Sequence, residues 1–286
     1  MSHYVERLGL RERRTYVIAE AGSCGDATPN KMAEQIDRCA DAGCDAVKFQ
    51  WTSSAKEMAR RRGRATADGY DLIYQRYLEW PDDWHAILQA KCQERGVDYL
   101  CSVYLASDVY VVSPYVSHFK VSSFEALDWT LQSRAISECL HSLRKCMFVS
   151  VGMCSDDEVE TLRRQYAASP FVALLHCVTA YPTPFGSMNL SSIYRNGLDG
   201  FSDHTDPAIT MTGALAVAAG ARIIEAHMRL ENTDPLNPDA AHAMTPDQLS
   251  DYVSRIRMVA QAMSRPEDDD VQDNMRCYRV GDTFGD

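Results

Sequence analysis

Eight short apolar runs recur along the chain, spaced by longer segments, and this alternation constrains the fold more than any other feature. The runs cover 16–20, 46–49, 99–103, 118–121, 147–151, 172–177, 199–202 and 222–227. Nearly continuous apolar runs fit strands buried on both faces, as a parallel sheet requires. Between them, 29–42 places Met32, Ile36, Cys39 and Ala40 on one helical face, with Gly43 as a stop signal. Segment 81–94 does the same with Trp84, Ile87, Leu88 and Cys92 before Gly96. Segments 156–165 and 246–263 also read as helices, and 208–219 is almost wholly small and apolar. Alternating β and α units predict an α/β fold, and eight of them predict a closed (β/α)8 TIM barrel in a single domain. A doubly wound sheet would need a glycine-rich phosphate turn after its first strand. Glu20-Ala21-Gly22-Ser23-Cys24-Gly25 does not match GxGxxG.

The predicted organisation is an N-terminal extension over 1–15, the barrel over 16–263, and a tail over 264–286 that packs back on the barrel. Residues 51–80 form a long insertion after the second strand, carrying Arg60, Arg61, Arg62 and Arg64. That basic cluster is either a solvated helix face or part of a wall over a binding site.

A formal net charge of −11 speaks against a general nucleic-acid binder, which needs a basic face for phosphate. It still admits a small anionic substrate, provided the site itself is locally basic. No apolar run approaches the roughly 20 residues that span a bilayer. The start, Met1-Ser2-His3-Tyr4-Val5-Glu6-Arg7, lacks the apolar core of a signal peptide. The ten cysteines are scattered with no CxxC pair, so free thiols and a cytoplasmic location are expected. Cys177, directly after His176, is the candidate if any thiol acts as a nucleophile.

In a parallel barrel, chemistry gathers where strands give way to loops at their C-terminal ends. Those ends supply Glu20; Lys48 and Gln50; Ser102; Lys120, Ser122 and Ser123; Ser150; His176, Thr179 and Tyr181; Ser202, Asp203 and His204; and Glu225 and His227. An unpaired buried ammonium is costly, so Lys48 and Lys120 need partners. Either they pair with Glu20, Asp203 or Glu225, or they join the hydroxyls in a cage for a small, highly charged anion. His204 and His227 are either a metal pair or imidazoles that each bond a loop carbonyl.

These residues resemble the sialic acid synthase (N-acetylneuraminate synthase) family. The resemblance is carried by Val17-Ile18-Ala19-Glu20-Ala21-Gly22, Asp45-Ala46-Val47-Lys48-Phe49-Gln50, Phe119-Lys120-Val121-Ser122-Ser123 and Val151-Gly152-Met153. Its most specific blocks are the stretch from His176 to Pro184 and Ser202-Asp203-His204-Thr205, followed by Asn237-Pro238-Asp239. The resemblance implies a metal-dependent condensation of phosphoenolpyruvate with an aldose or other aldehyde, releasing phosphate and giving a 2-keto-3-deoxy acid. It implies that Lys48, Lys120, Ser102, Ser123, Ser150 and Ser202 hold phosphoenolpyruvate, with Thr179 beside it. His204 and His227 would bind a divalent ion, Mn2+ or Mg2+. Glu20, Gln50, Tyr181 and Asp239 would face the acceptor, and a homodimer is compatible with the family.

Four departures fall on the acceptor side. Ser23-Cys24-Gly25-Asp26 replaces the Asn-His pair and Gly that usually follow the first strand, and Ala226 replaces a basic residue. After Asp239 the chain has Ala240 and Ala243 in place of His and Ser, with His242 nearby. The antifreeze-like domain expected to follow the barrel has no counterpart in the pattern. An altered acceptor is the expected consequence, for which a sugar without an N-acetyl group or, through the arginine cluster, an anionic sugar is considered. The alternatives are an aldolase using Lys48 or Lys120 as a Schiff-base nucleophile, and a sugar-binding barrel without turnover.

Overall fold

In the computed structural model, the described residues are Leu8, 14–63, 70–142, 144–167 and 169–264. Eight parallel strands close into one barrel: β1 (Tyr16–Gly22), β2 (Ala46–Gln50), β3 (Asp98–Ser102), β4 (His118–Val121), β5 (Met147–Ser150), β6 (Val172–His176), β7 (Gly200–Asp203) and β8 (Ile223–His227). Each strand pairs with the next, and β8 returns to β1. The single-domain TIM barrel is therefore observed. The expected packing of the tail falls on 265–286, outside the described residues, as does most of the N-terminal extension.

Element boundaries follow local chemistry. The helix Pro29–Asp41 starts with proline at its first turn and buries Met32, Gln35, Ile36 and Cys39. Helices Asp156–Tyr166 and Pro246–Ala262 begin with capping boxes, Ser155 with Glu158 and Thr245 with Gln248. The helix expected from residue 81 begins instead at Trp84, because Pro81 and Asp82 accept turn hydrogen bonds from Trp84 and His85. The helix expected from 208 is shortened to Thr212–Ala218. Asp206 takes the backbone N–H groups of Ala208 and Ile209 into a local turn, which competes with helix.

Parallel register sets the interior. Successive residues alternate faces, so a column such as Tyr16, Ile18 and Glu20 points one way. At the lower level Tyr16, His118 and Phe148 from β1, β4 and β5 meet across the barrel, with ring centroids 5.6–6.3 Å apart. Further up the same strands, four residues on in β1 and two in β4 and β5, stand Glu20, Lys120 and Ser150, so an aromatic plug floors a polar chamber. Gly200 is required here: a Cβ would lie 2.3 Å from the Ile223 carbonyl oxygen and 2.6 Å from Leu175.

The insertion is folded. It forms helices Ala55–Arg61 and Tyr70–Leu78, and Met58, Tyr77, Leu78 and Tyr104 bury together as a small satellite core. Its ends are tied reciprocally: Trp51 Nε1 donates to the Trp80 carbonyl (2.8 Å) and Trp80 Nε1 to the Gln50 carbonyl (3.2 Å). The loop thus returns to its origin above β2. Among the described residues, no helix is long and apolar enough to cross a membrane.

Candidate active site

The barrel mouth opens into a cavity of about 420 Å³ whose floor is the polar layer of strand ends. Register puts Glu20 beside Lys48, Gln50 beside Ser102, Ser102 beside Lys120, and Ser202 beside Glu225. Lys48 Nζ donates to Ser102 Oγ (2.9 Å), and Lys120 Nζ donates to Ser150 Oγ (2.7 Å). Lys48 also forms an ion pair with Glu20 and lies 3.6 Å from Glu225, while Lys120 lies 3.7 Å from Glu225. The pairing reading of the lysines is met by Glu20 and Glu225, and the same ammonium groups also reach serine hydroxyls. Asp203 is not among those partners. It faces the helical shell, where it accepts from Thr205 and from Tyr252 (2.9 Å).

Burial dominates the electrostatics. It raises the Glu20 carboxyl to about 7, against the pull of Lys48 and with the push of Glu225. Burial also opposes ionisation of Lys48, but Glu20 and Glu225 outweigh it and leave that ammonium raised. Lys120 has weaker compensation from Glu225 and is repelled by Lys48, so it is lowered. Glu225 resists its own burial because both lysines flank it, and it is lowered. The chamber thus sets two ammonium groups, offset by Glu225 and in part by Glu20, among fixed hydroxyls, a donor set that an anion with several oxygens can take up.

On the other side of the mouth the imidazoles converge. The rings of His204 and His227 are 5.5 Å apart, and His242 stands 4.5 Å from His227 and 6.3 Å from His204. Nδ1 of His204 lies 2.9 Å from the Val178 carbonyl, to which it can only donate, leaving Nε2 as the acceptor nitrogen. Burial lowers His204 to about 4 and lowers His227 and His242 as well, so all three rings are neutral at pH 7. Neutral imidazole is the form that binds metals. The sequence-predicted pair is brought together, and His242, mentioned at that stage only as a neighbour, joins it. Its signal was its position three residues after Asp239, past a proline.

Gly22 lets the two sides meet. It has φ +54°, and a Cβ there would lie 2.8 Å from Asp239 Oδ2, 3.0 Å from Glu20 Oε1 and 3.2 Å from Gln50 Nε2. Gln50 Nε2 donates to Glu20 Oε1 (2.7 Å). Ser202 Oγ donates to Glu225 Oε1 (2.8 Å). Ser123 Oγ accepts the Gly152 N–H (3.1 Å), and Thr179 Oγ1 is buried without a partner. Tyr181 is half exposed, its ring 4.5 Å from His204. All thirteen predicted site residues line this one cavity. His176 and Cys177, considered with them, do not line it. His176 faces outward, its Nε2 2.8 Å from the Met188 carbonyl, and burial raises the Cys177 thiol, which sits 3.1 Å from Ser123 Oγ.

The arginine cluster separates. Arg60 pairs with Glu57 and Arg61 with Asp128, both away from the chamber, and Arg64 lies outside the described residues. Arg62 reaches the cavity wall but is held bidentately by Glu125 (2.7 and 2.9 Å) among the rings of Tyr74, Tyr104 and Phe124. This aromatic wall, with Tyr77 and Ile73, escaped the sequence reading. Tyr74 and Tyr77 at helical spacing were its available signal.

A lysine and hydroxyl cage facing clustered imidazoles at the strand ends of a TIM barrel is the layout of a strand-end enzyme. The chain belongs to the NeuB family, whose model matches residues 35–268. It is 30% identical over 262 residues to the spore coat polysaccharide biosynthesis protein SpsE of Bacillus subtilis, covering 86% of this chain and 68% of that protein. It is 29% identical to the N-acetylneuraminate-9-phosphate synthase of Drosophila melanogaster, covering 84% of this chain and 67% of that one. The crystal structure of N-acetylneuraminic acid (sialic acid) synthetase from Leptospira borgpetersenii has the same fold. Its TM-score is 0.78 at 23% identity, over 93% of this chain and 92% of that one.

Proposed function

We propose that this enzyme condenses phosphoenolpyruvate with an uncharged sugar aldehyde, releasing inorganic phosphate and a 2-keto-3-deoxy acid. The observation that carries the reading is the pair of fully buried lysines, each hydrogen-bonded to a serine at a neighbouring strand end. Lys48 and Lys120, with Ser102, Ser123, Ser150 and Ser202, hold the phosphate and carboxylate oxygens of the donor, and Thr179 offers a further hydroxyl. Their chief effect is positioning, since a fixed enol face raises the effective concentration of the attacking carbon. Glu20, Gln50, Tyr181 and Asp239 take the acceptor hydroxyls.

The donor set fits a divalent ion such as Mn2+ or Mg2+. Nδ1 of His227 is buried without a hydrogen-bond partner, and the Asp239 carboxylate stands 3.9 Å from it. His204 and His227 would hold that ion, which would supply electrophilic polarisation of the acceptor carbonyl. The enol carbon attacks the carbonyl carbon, water adds to the resulting cation, and the carbon–oxygen bond to phosphate breaks. Glu20, raised to about 7, exists in both protonation states near neutral pH and can pass a proton to or from that water.

An uncharged acceptor follows from the arginines. Each of the described members of the cluster is already paired, and the wall near Arg62 is aromatic. Aromatic faces suit the C–H faces of a sugar ring, whereas a phosphate would need a free cation. We infer a cytoplasmic location from cysteines that are scattered along the sequence without a CxxC pair.

The test is phosphate release from phosphoenolpyruvate with metal-loaded protein and matched aldoses, free and phosphorylated, with products read by mass spectrometry. Release with a free aldose at a kcat/KM at least tenfold above its phosphorylated partner is expected. A preference for the phosphorylated sugar would overturn the uncharged acceptor. Borohydride trapping of a pyruvate adduct on Lys120 would replace the reading with an imine-forming aldolase, and binding of sugar without any release would leave a binding protein.

A further inference from the structure

The imidazole side holds more donors than a two-histidine site needs. One ligand atom from each of His227, Asp239 and His242 lies within 4.8 Å of the other two. His242 is 4% exposed, and neither of its ring nitrogens has a hydrogen-bond partner. Nδ1 of His227 is in the same condition. Burying an unpaired polar atom costs about 1–3 kcal/mol, and here orphan nitrogens of two adjacent rings stand beside one carboxylate.

An orphan nitrogen by itself means little. His85 also has a buried Nε2 without a partner, but its ring lies among Trp51, Trp80, Tyr99 and Tyr115, and among the described residues no metal-ligating set includes it. Convergence is what separates the two cases.

The segment carrying His242 is also held at both ends. Asn237 Oδ1 accepts the Asp239 N–H (3.0 Å), while its Nδ2 donates to the Ser23 carbonyl and to Asp26. Ser23 donates its N–H to Asp239 Oδ2 (3.1 Å). Downstream, the Met244 N–H donates to the His227 carbonyl (2.9 Å), and the segment bridges β8 through Met228. The tripod is thus fixed before any ligand enters, which lowers the ordering cost of capture.

We infer that His242 is a further ligand of the cation that His204 and His227 would hold, closing a donor set with His227 and Asp239, and that this set prefers first-row transition ions over Mg2+. The preference follows from donor chemistry, since imidazole suits transition ions and Mg2+ favours oxygen and keeps its waters. His204 flanks the tripod, its acceptor nitrogen 3.3 Å from Ser202 Oγ on the side of the lysine cage. The use of the ion in condensation rests on the proposed function, but its capture by these donors does not.

The experiment is calorimetric titration of the metal-stripped full chain with Co2+ and, separately, Mg2+, with the Co2+ absorption spectrum recorded in parallel. One Co2+ per chain is expected, binding at least a hundredfold more tightly than Mg2+. His242→Ala and His242→Gln should each weaken Co2+ at least tenfold and alter its visible bands. Their metal-free melting temperatures report whether the fold is kept. His85→Phe should leave Co2+ affinity within twofold of the parent. Either His242 variant that folds like the parent and binds Co2+ within twofold of it, with an unchanged spectrum, overturns the inference. Phosphate release with phosphoenolpyruvate is measured separately. Its absence beside intact His242-dependent Co2+ binding would sink the proposed function and leave the metal site standing.

Discussion

The two sides of the barrel mouth are equally buried but differ in how far the protein satisfies them itself. Around β2 to β5 the ammonium groups close on serines and carboxylates, so the cage is a connected network, although Thr179 Oγ1 and Glu225 Oε2 beside it have no hydrogen-bond partner. Around β8 and the segment after it, ring nitrogens of His227 and His242 remain unpartnered. A satisfied network can hold a ligand only by exchanging one set of partners for another, which suits a substrate that must come and go. An unsatisfied set gains the whole interaction on binding, which suits a resident ion. On the proposed reading, the barrel separates a substrate subsite from an ion subsite within one cavity.

If that division is real, a change in the cage should cost chemistry without touching metal affinity. Lys120→Met keeps volume and removes the charge beside Ser150 and Glu225. Removing one member of a buried, hydrogen-bonded charge pair costs on the order of 2–5 kcal/mol, so kcat/KM for phosphoenolpyruvate should fall roughly thirtyfold to several thousandfold. Co2+ affinity should stay within twofold. A tenfold loss of Co2+ binding in this variant would mean that the two sides act as one network.

Gly22→Ala probes the seam. The new Cβ meets Asp239 Oδ2 at 2.8 Å and Glu20 Oε1 at 3.0 Å, at a φ of +54° that side chains other than glycine disfavour. Left-handed backbone costs about 1–2 kcal/mol per residue, visible as a lower melting temperature. Displacing Asp239 and Glu20 together should weaken Co2+ binding and phosphoenolpyruvate turnover in parallel, each by about tenfold. Loss of only one property would show that Gly22 serves a single side.

The same contrast explains what could be read from the chain. Strand ends were legible because β alternation fixes facing residue by residue, so Lys48, Lys120, Ser150 and Glu225 fell at the mouth without knowledge of any loop. The shifts of one or two residues came where a side chain competed for backbone groups. Asp199, expected to open β7, instead accepts the Leu174 N–H (2.8 Å), and the strand begins at Gly200. Loop-borne groups were harder, because their position depends on tertiary ties. His242 is brought to His227 by long-range ties, among them the clamp of Asn237 on Ser23 and Asp26, residues 211 to 214 positions away. Arg62 looked like a free cation because its partner Glu125 lies 63 residues downstream.

The smallest expected effect concerns His85, the buried imidazole outside both subsites. Burial lowers it to about 4, while an unfolded histidine titrates near 6.5. As pH falls from about 6.5 to 4, the unfolded chain gains a proton that the fold refuses, so stability is lost through that window and the loss is complete below it. One proton limits the slope to about 1.4 kcal/mol per pH unit. His85→Phe removes this dependence and also the 2.6 Å hydrogen bond with the Tyr99 hydroxyl, worth about 1 kcal/mol. The variant should therefore be less stable than the parent at pH 7, and the gap should narrow toward pH 4. Denaturant titrations at four pH values read that difference directly. Because the parent and the variant share the histidines of the mouth, their contribution cancels, and curves that run parallel would show that His85 is not the proton-refusing group.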